Sequence, residues 1–287
     1  MPGRRSTGFA RSSFMRARHF GIRVSHRLGR IEPLGGSRPG IAITGGGGTI
    51  GRILRDGLSD AYAIRTIDLM PLEGVDVVAD TRNLDRTQAA FAGAGTVVDL
   101  AADAGVRTPW EDVRENNLAA TVAALEAARR AGVRRVVFAS TNHVTGMYEL
   151  DEPYASVVAG RYDGLDPAAL PRLRADWPIR PDSFYAVGKA AGEAAGRFYS
   201  DEHGLSVICL RIGSVSASNR PRDVREYATL LTHRDLVQLV LRCIEAPADV
   251  RFGVFYGVSA NTWRIWDIED ARATLGYEPV DDAERFR

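Results

Sequence analysis

Thirty-six arginines supply nearly all the fixed positive charge of this 287-residue chain, and the single lysine, Lys189, is the exception. It follows Tyr185 by four residues in Tyr185-Ala186-Val187-Gly188-Lys189. On a helix, positions i and i+4 share a face and their side chains meet. A phenol of pKa about 10 is a poor base at neutral pH, and an adjacent ammonium favours its phenolate. A compact ammonium on a flexible stem also reaches a ribose hydroxyl better than a planar guanidinium does. Tyr185 is therefore read as a general base and Lys189 as the group that lowers its pKa and holds a ribose.

A second constellation, Thr44-Gly45-Gly46-Gly47-Gly48-Thr49-Ile50-Gly51, follows an apolar run and precedes a helical pattern. Gly45, Gly48 and Gly51 have the spacing of a dinucleotide turn. Such a turn needs a positive φ, a backbone without Cβ beside pyrophosphate, and close helix packing. Thr49, Ile50 and Gly51 then open a helix whose free N–H groups face phosphate. Asp68 lies 17 residues beyond Gly51, at the end of the next strand. A carboxylate there binds a ribose diol and repels a 2′-phosphate, so the expected cofactor is NAD; Arg52 and Arg65 are the guanidiniums that would argue for NADP.

The elements that must position these groups alternate along the chain. Apolar, β-branched runs fall at Ile41 to Thr44, Ala63 to Ile67, Asp76 to Val78, Thr96 to Leu100, Arg135 to Ser140, Ser206 to Arg211 and Gly253 to Tyr256. Helical patterns lie between them, near Ile50 to Leu58, Arg86 to Ala92, Trp110 to Ala131, Ser183 to His203, Thr232 to Ala246 and Ile268 to Leu275. This is the signature of an α/β fold with a doubly wound parallel sheet, Rossmann-type. One domain is expected over residues 39–287, with residues 212–287 adding a small C-terminal substrate-binding region. Residues 147–181 interrupt the alternation and read as a candidate lid.

Residues 1–38 carry nine arginines against one acid, Glu32, and end in Pro33-Leu34-Gly35-Gly36-Ser37-Arg38-Pro39-Gly40. They read as a disordered, Arg-rich leader, an upstream extension for which an organelle transit peptide and a nucleic-acid-binding tail are the alternatives. The remainder is net acidic, 28 basic against 35 acidic residues, and nucleic acid is not an expected partner. No apolar run is long enough to span a membrane. Only Cys209 and Cys243 are present, both in apolar stretches, which fits a reduced, cytoplasmic protein with neither disulfides nor a bound metal.

Together the glycine turn and the Tyr185/Lys189 pair resemble the extended short-chain dehydrogenase/reductase (NAD-dependent epimerase/dehydratase) family, over roughly Gly40 to the C-terminus. The resemblance implies that Asp80 lies near the adenine, that Leu100, Ala101 and Ala102 run beside the cofactor, and that Asn117 supports the central helix. It also makes Thr141 the hydroxyl that holds the substrate oxygen. Within the family the chain most resembles uronate dehydrogenases, through Phe138-Ala139-Ser140-Thr141-Asn142-His143-Val144-Thr145-Gly146, Leu210-Arg211-Ile212-Gly213-Ser214 and the stretch from Arg225 to Asp235. That similarity implies substrate contacts for Asn142, His143, Ser214 and Arg225, and a guanidinium is the natural bidentate partner of a sugar-acid carboxylate.

The implied activity is an NAD-dependent oxidation of a hydroxyl on a small sugar or sugar acid, at C1 of a pyranose uronate, to give a lactone. Only about 75 residues follow the sixth strand, which suits a free sugar better than a nucleotide sugar. Thr141 is followed by Asn142 rather than an acid, which disfavours dehydration. Three departures leave the sugar open. Asp103-Ala104 stands where uronate dehydrogenases carry a serine, Thr141 replaces their serine, and residues 147–181 form a longer insertion. The alternatives are a sugar epimerase using the same residues and a non-catalytic NAD-binding protein with a nucleic-acid-binding leader. The family analogy adds a homodimer through the helices near Trp110 and Ser183.

Overall fold

Seven strands form one sheet: β1 (Gly40–Thr44), β2 (Ala63–Asp68), β3 (Val77–Val78), β4 (Thr96–Asp99), β5 (Arg135–Thr141), β6 (Ser206–Ile212) and β7 (Phe252–Gly257). All pairings are parallel, in the order β3-β2-β1-β4-β5-β6-β7. The chain thus winds outward from β1 in both directions, leaving a switch point between β1 and β4 where their C-terminal ends diverge. Strands β4, β5 and β6 are buried along their whole length, which is why they read as near-continuous apolar runs. The computed structural model describes residues 31–287. Most of the leader, residues 1–30, lies outside the described residues.

The longer helices are α1 (Thr49–Leu58), α2 (Leu84–Phe91), α4 (Ala120–Arg130), α6 (Phe184–His203), α8 (His233–Glu245) and α9 (Glu269–Leu275); α3 (Trp110–Val113), α5 (Tyr154–Val158) and α7 (Glu226–Thr229) are single turns. Helices α1, α8 and α9 bury Leu54, Leu58, Leu236, Leu239, Cys243 and Leu275 against Ile41, Ile43, Ile208 and Leu210 of the sheet. Helices α2, α4 and α6 pack in series on the other face. Gly192 of α6 lets that helix approach β5 closely, since a Cβ there would lie 2.5 Å from the Phe138 ring.

Three local features differ from the sequence expectation. The helix expected over Trp110 to Ala131 is broken by a π-helical stretch, Arg114–Ala119, because Asn117 turns inward to bind the backbone of Asp103. Helix α2 begins at Leu84, earlier than Arg86, because the Asn83 side chain caps it by accepting from Arg86 N. Leu34, within the expected leader and linker, donates its N–H to Ala92 O and packs over Gly93.

Residues 147–181 carry a core of their own. Tyr154, Val157, Leu170 and Leu173 pack with Tyr256, Ile265, Trp266 and Ile268. Leu173 pairs with Trp266 in a parallel bridge, its N–H donating to Ile265 O while Asp267 N donates back to Leu173 O. A lone apolar stripe of this length has no period to read; it becomes ordered only against the C-terminal segment.

Candidate active site

The C-terminal ends of the strands open into one cavity of about 760 Å³. At its floor the chain leaves β1 through Gly45, whose φ of +62° suits glycine. A Cβ at Gly45 would also lie 3.0 Å from Leu100 C. A Cβ at Gly51 would meet Gly46 Cα at 2.6 Å, so the third glycine seats α1 against the turn. Gly48 is the N-cap of α1 and offers no side-chain acceptor. Thr49, Ile50 and Gly51 therefore bring unpaired first-turn N–H groups to the cavity they line, a cradle suited to a pyrophosphate.

Asp68 lines the same cavity at the end of β2, accepting from Gly47 N at 3.0 Å and Met70 N at 3.1 Å. The two guanidiniums that would have argued for a 2′-phosphate point elsewhere. Arg52 donates to Gly47 O, Arg65 donates to Ala90 O, and neither lines the cavity. Asp80 also lines it, and Arg82 grips its carboxylate in a bidentate pair that holds its pKa below the usual range. Leu100, Ala101 and Ala102 form the opposite wall. Thr44 fixes that wall: its hydroxyl donates to Asp99 at 2.6 Å and accepts from Leu100 N and Ala101 N.

Thr141, Tyr185 and Lys189 converge farther along the cavity. Ser183 caps α6 by accepting from Ala186 N, starting the helix so that Tyr185 and Lys189 face inward one turn apart. Lys189 is buried, with Nζ 4.7 Å from the centre of the Phe138 ring. Burial lowers its pKa to about 8 against the opposing charge of Asp99. The effect on Tyr185 differs from the expectation. Burial pushes the phenol above its ordinary value, a hydrogen bond with Thr141 pulls it back, and Asp103 raises it further; Lys189 is not among the causes. The chain's own residues thus keep Tyr185 protonated.

The substrate end is built by the turn after β5. Asn142 is buried and lines the cavity with its Nδ2 donor unpartnered. A buried donor without an acceptor is costly, and a ligand oxygen would satisfy it. His143 also lines the cavity, its Nδ1 bonded to Asp182 at 2.6 Å and its ring edge-on to Tyr185. Burial pushes the Asp182 carboxyl up, but the bond and charge of His143 hold it below the usual range. An ionised carboxylate only accepts, so Nδ1 carries the proton and Nε2 remains as the ring's other polar atom. Ser214 lines the cavity with its hydroxyl 2.7 Å from that of Thr229.

Arg225 is the one proposed site residue that the structure does not bring to the cavity. Its Nε and Nη2 each donate to Glu149 at 2.6 Å. Arg222 lines the cavity instead, bound to Glu226. Asn117 clamps Asp103 from both sides, accepting from its N–H and donating to its carbonyl, and sits beside Gly188 of α6.

Several supporting residues escaped the sequence reading. Glu193 of α6 accepts from Ser140 at 2.5 Å and takes a bidentate pair from Arg211 of β6, all buried. Burial pulls Arg211 down, but Glu193 outweighs it and keeps the guanidinium charged. Tyr256 bonds Thr145 at 2.8 Å and so anchors the segment that carries Asn142 and His143. The legible signal was a charged residue inside an otherwise apolar strand, Cys209-Leu210-Arg211-Ile212, which must find a buried partner.

Comparison with known proteins places this geometry. The sequence model of the "NAD dependent epimerase/dehydratase family" matches residues 41–239. An NAD-dependent glucose-6-phosphate dehydrogenase from Haloferax volcanii is 35% identical over 258 residues, 86% of this chain and 95% of that protein. An L-arabinose 1-dehydrogenase (NAD(P)(+)) from the same organism is 35% identical over 85% of this chain and 97% of its own. A mutant of the uronate dehydrogenase from Agrobacterium tumefaciens, crystallised in complex with NAD, superposes with a TM-score of 0.73 at 30% identity, covering 88% of each chain.

Proposed function

The chain belongs to the NAD-dependent epimerase/dehydratase family, and within it we propose that the protein is an NAD-dependent sugar dehydrogenase that oxidises C1 of a free aldose or sugar acid to a lactone. The observation that carries this reading is that Thr141, Tyr185 and Lys189 line the same cavity as the glycine turn. When bound, NAD supplies the hydride acceptor. Gly45, Gly48 and the first turn of α1 would hold its pyrophosphate, Asp68 a ribose and Asp80 the adenine end, with Arg52 and Arg65 both engaged outside the cavity lining.

The chain's residues handle the proton. Thr141 and Tyr185 hold the reacting hydroxyl, and Tyr185, once ionised to the phenolate, takes the hydroxyl proton on Oη as C1 becomes the lactone carbonyl. Lys189, one helical turn from Tyr185 and lining the same cavity, would hold the nicotinamide ribose. Asn142, His143 and Ser214 orient the sugar. Of the catalytic group, the shared Tyr and Lys also serve epimerases; what favours a dehydrogenase is the identity of 30–35% with proteins named for that chemistry.

We also infer a homodimer through α4 and α6, where Val122, Phe184, Val187 and Phe198 leave an apolar face exposed beside the Trp110–Phe184 ring contact. A reduced cytoplasmic setting accords with two buried free thiols, Cys209 and Cys243, and a place in carbohydrate metabolism with the sugar dehydrogenases the chain is similar to. No helix among the described residues is long and apolar enough to cross a membrane.

The test is NADH appearance at 340 nm with a panel of aldoses, uronates and nucleotide sugars. Turnover of free sugars is expected. Turnover of nucleotide sugars alone would overturn the reading. Tightly retained NAD with sugar interconversion and no net NADH would assign the epimerase instead.

A further inference from the structure

The charge arrangement around the substrate end selects among sugars. Arg225, the guanidinium that resemblance assigns to a sugar-acid carboxylate, is held by both oxygens of Glu149, with side chains only 26% and 11% exposed. Arg222, which lines the cavity, is held by Glu226, whose second oxygen also takes Arg222 N at 2.7 Å. The His143 imidazole is held by Asp182. Asp103 adds a carboxylate to the cavity wall, close enough to Tyr185 to raise its phenol.

An anionic sugar would therefore meet Asp103 and the Arg222 guanidinium, already bound to Glu226, while Arg225 stays paired with Glu149 outside the cavity lining. Recruiting Arg225 would strip Glu149 of its partner in a largely desolvated position, and an unpaired buried charge costs far more than a lost contact. The polar groups left for a ligand at this end are the unpartnered Asn142 Nδ2, the Ser214 hydroxyl and one nitrogen of His143. These match hydroxyls, which both donate and accept.

On the dehydrogenase reading above, we infer that the substrate is an uncharged aldose, and that Glu149 is a positioning residue which, by occupying Arg225, excludes carboxylated and phosphorylated sugars. Residues 147–181 thus act on specificity without lining the cavity, since Glu149 belongs to them.

The experiment compares pairs that differ only at C6. NADH production is followed with D-galactose against D-galacturonate and with D-glucose against glucose 6-phosphate, giving kcat and KM for each. Wild-type protein is expected to favour the neutral member of the pair it turns over by at least about tenfold in kcat/KM. In Glu149→Gln the galacturonate-to-galactose ratio is expected to rise by at least about tenfold, through a lower uronate KM, a change that loss of packing alone would not produce. Should that variant fail to fold, Asp103→Ser is expected to move the same ratio in the same direction. A wild-type preference for either anion overturns the inference, as does an unchanged ratio in a folded variant. Absence of turnover with every free sugar overturns the dehydrogenase reading on which it rests.

Discussion

Ser140 donates its hydroxyl to Glu193 at 2.5 Å, joining the residue before Thr141 on β5 to the helix that carries Tyr185 and Lys189. Arg211 of β6 closes the same bond set with two contacts of 2.9 Å to Glu193. The three catalytic side chains are thus indexed to one another through a buried ion pair that never touches the substrate. Removing one partner of such a pair leaves a bare charge, so Glu193→Ala is expected to destabilise the fold by about 3–5 kcal/mol. Urea denaturation read by circular dichroism checks it.

Tyr185→Phe removes the proton acceptor while keeping the ring that packs beside His143. The expected outcome is a loss of about 10²–10⁴ in kcat with NAD affinity unchanged. Steady-state kinetics and fluorescence titration with NAD separate the two.

Because burial and Asp103 raise the Tyr185 phenol above its ordinary value, its ionised form grows as pH increases. The kcat/KM for sugar oxidation should climb from pH 7 to beyond 9, and Asp103→Asn should move the limb to lower pH. A pH–rate profile that is level across this range would contradict the assignment of Tyr185 as base.

The folded-state pKa of Lys189, about 8 against an ordinary 10.5, means that the unfolded chain binds the extra proton between those values. Stability from this group therefore rises as pH goes from about 8 to about 10.5, and below 8 the buried charge costs about 3 kcal/mol. Lys189→Met is expected to raise Tm by at least about 3 °C at pH 7, with the gain shrinking toward pH 10, while abolishing turnover. Thermal scans at both pH values measure it.

Gly45→Ala combines a positive φ with a Cβ placed 3.0 Å from Leu100 C. It should cost about 1–3 kcal/mol and displace the wall formed by Leu100 to Ala102, so NAD affinity falls together with stability. Calorimetric titration of NAD into the variant decides whether the turn is that demanding.

Much of this arrangement was legible in the sequence because its signals are local. Strands such as Ile41 to Thr44 and Ser206 to Arg211 announce themselves as apolar runs, and Tyr185 and Lys189 lie one helical turn apart. The missing parts depend on distant partners. Nothing near Glu149 indicates a bond to Arg225, 76 residues away. The resemblance singled out Asn117 as supporting the central helix, but nothing in the helical pattern indicated its bond to the backbone of Asp103 or the π turn at that point. Residues 147–181 have no periodicity because their apolar side chains are spent on Trp266 and its neighbours rather than on one face of an element.

The pairing of Leu173 with Trp266 has an evolutionary corollary. It welds an insertion in the middle of the chain to its C-terminal segment, away from the glycine turn, Asp68 and Asp80. Residues 147–181 and 261–268 are therefore expected to vary together: a change of size at Leu173 must be answered at Trp266 or its neighbours, with the glycine turn, Asp68 and Asp80 left as they are.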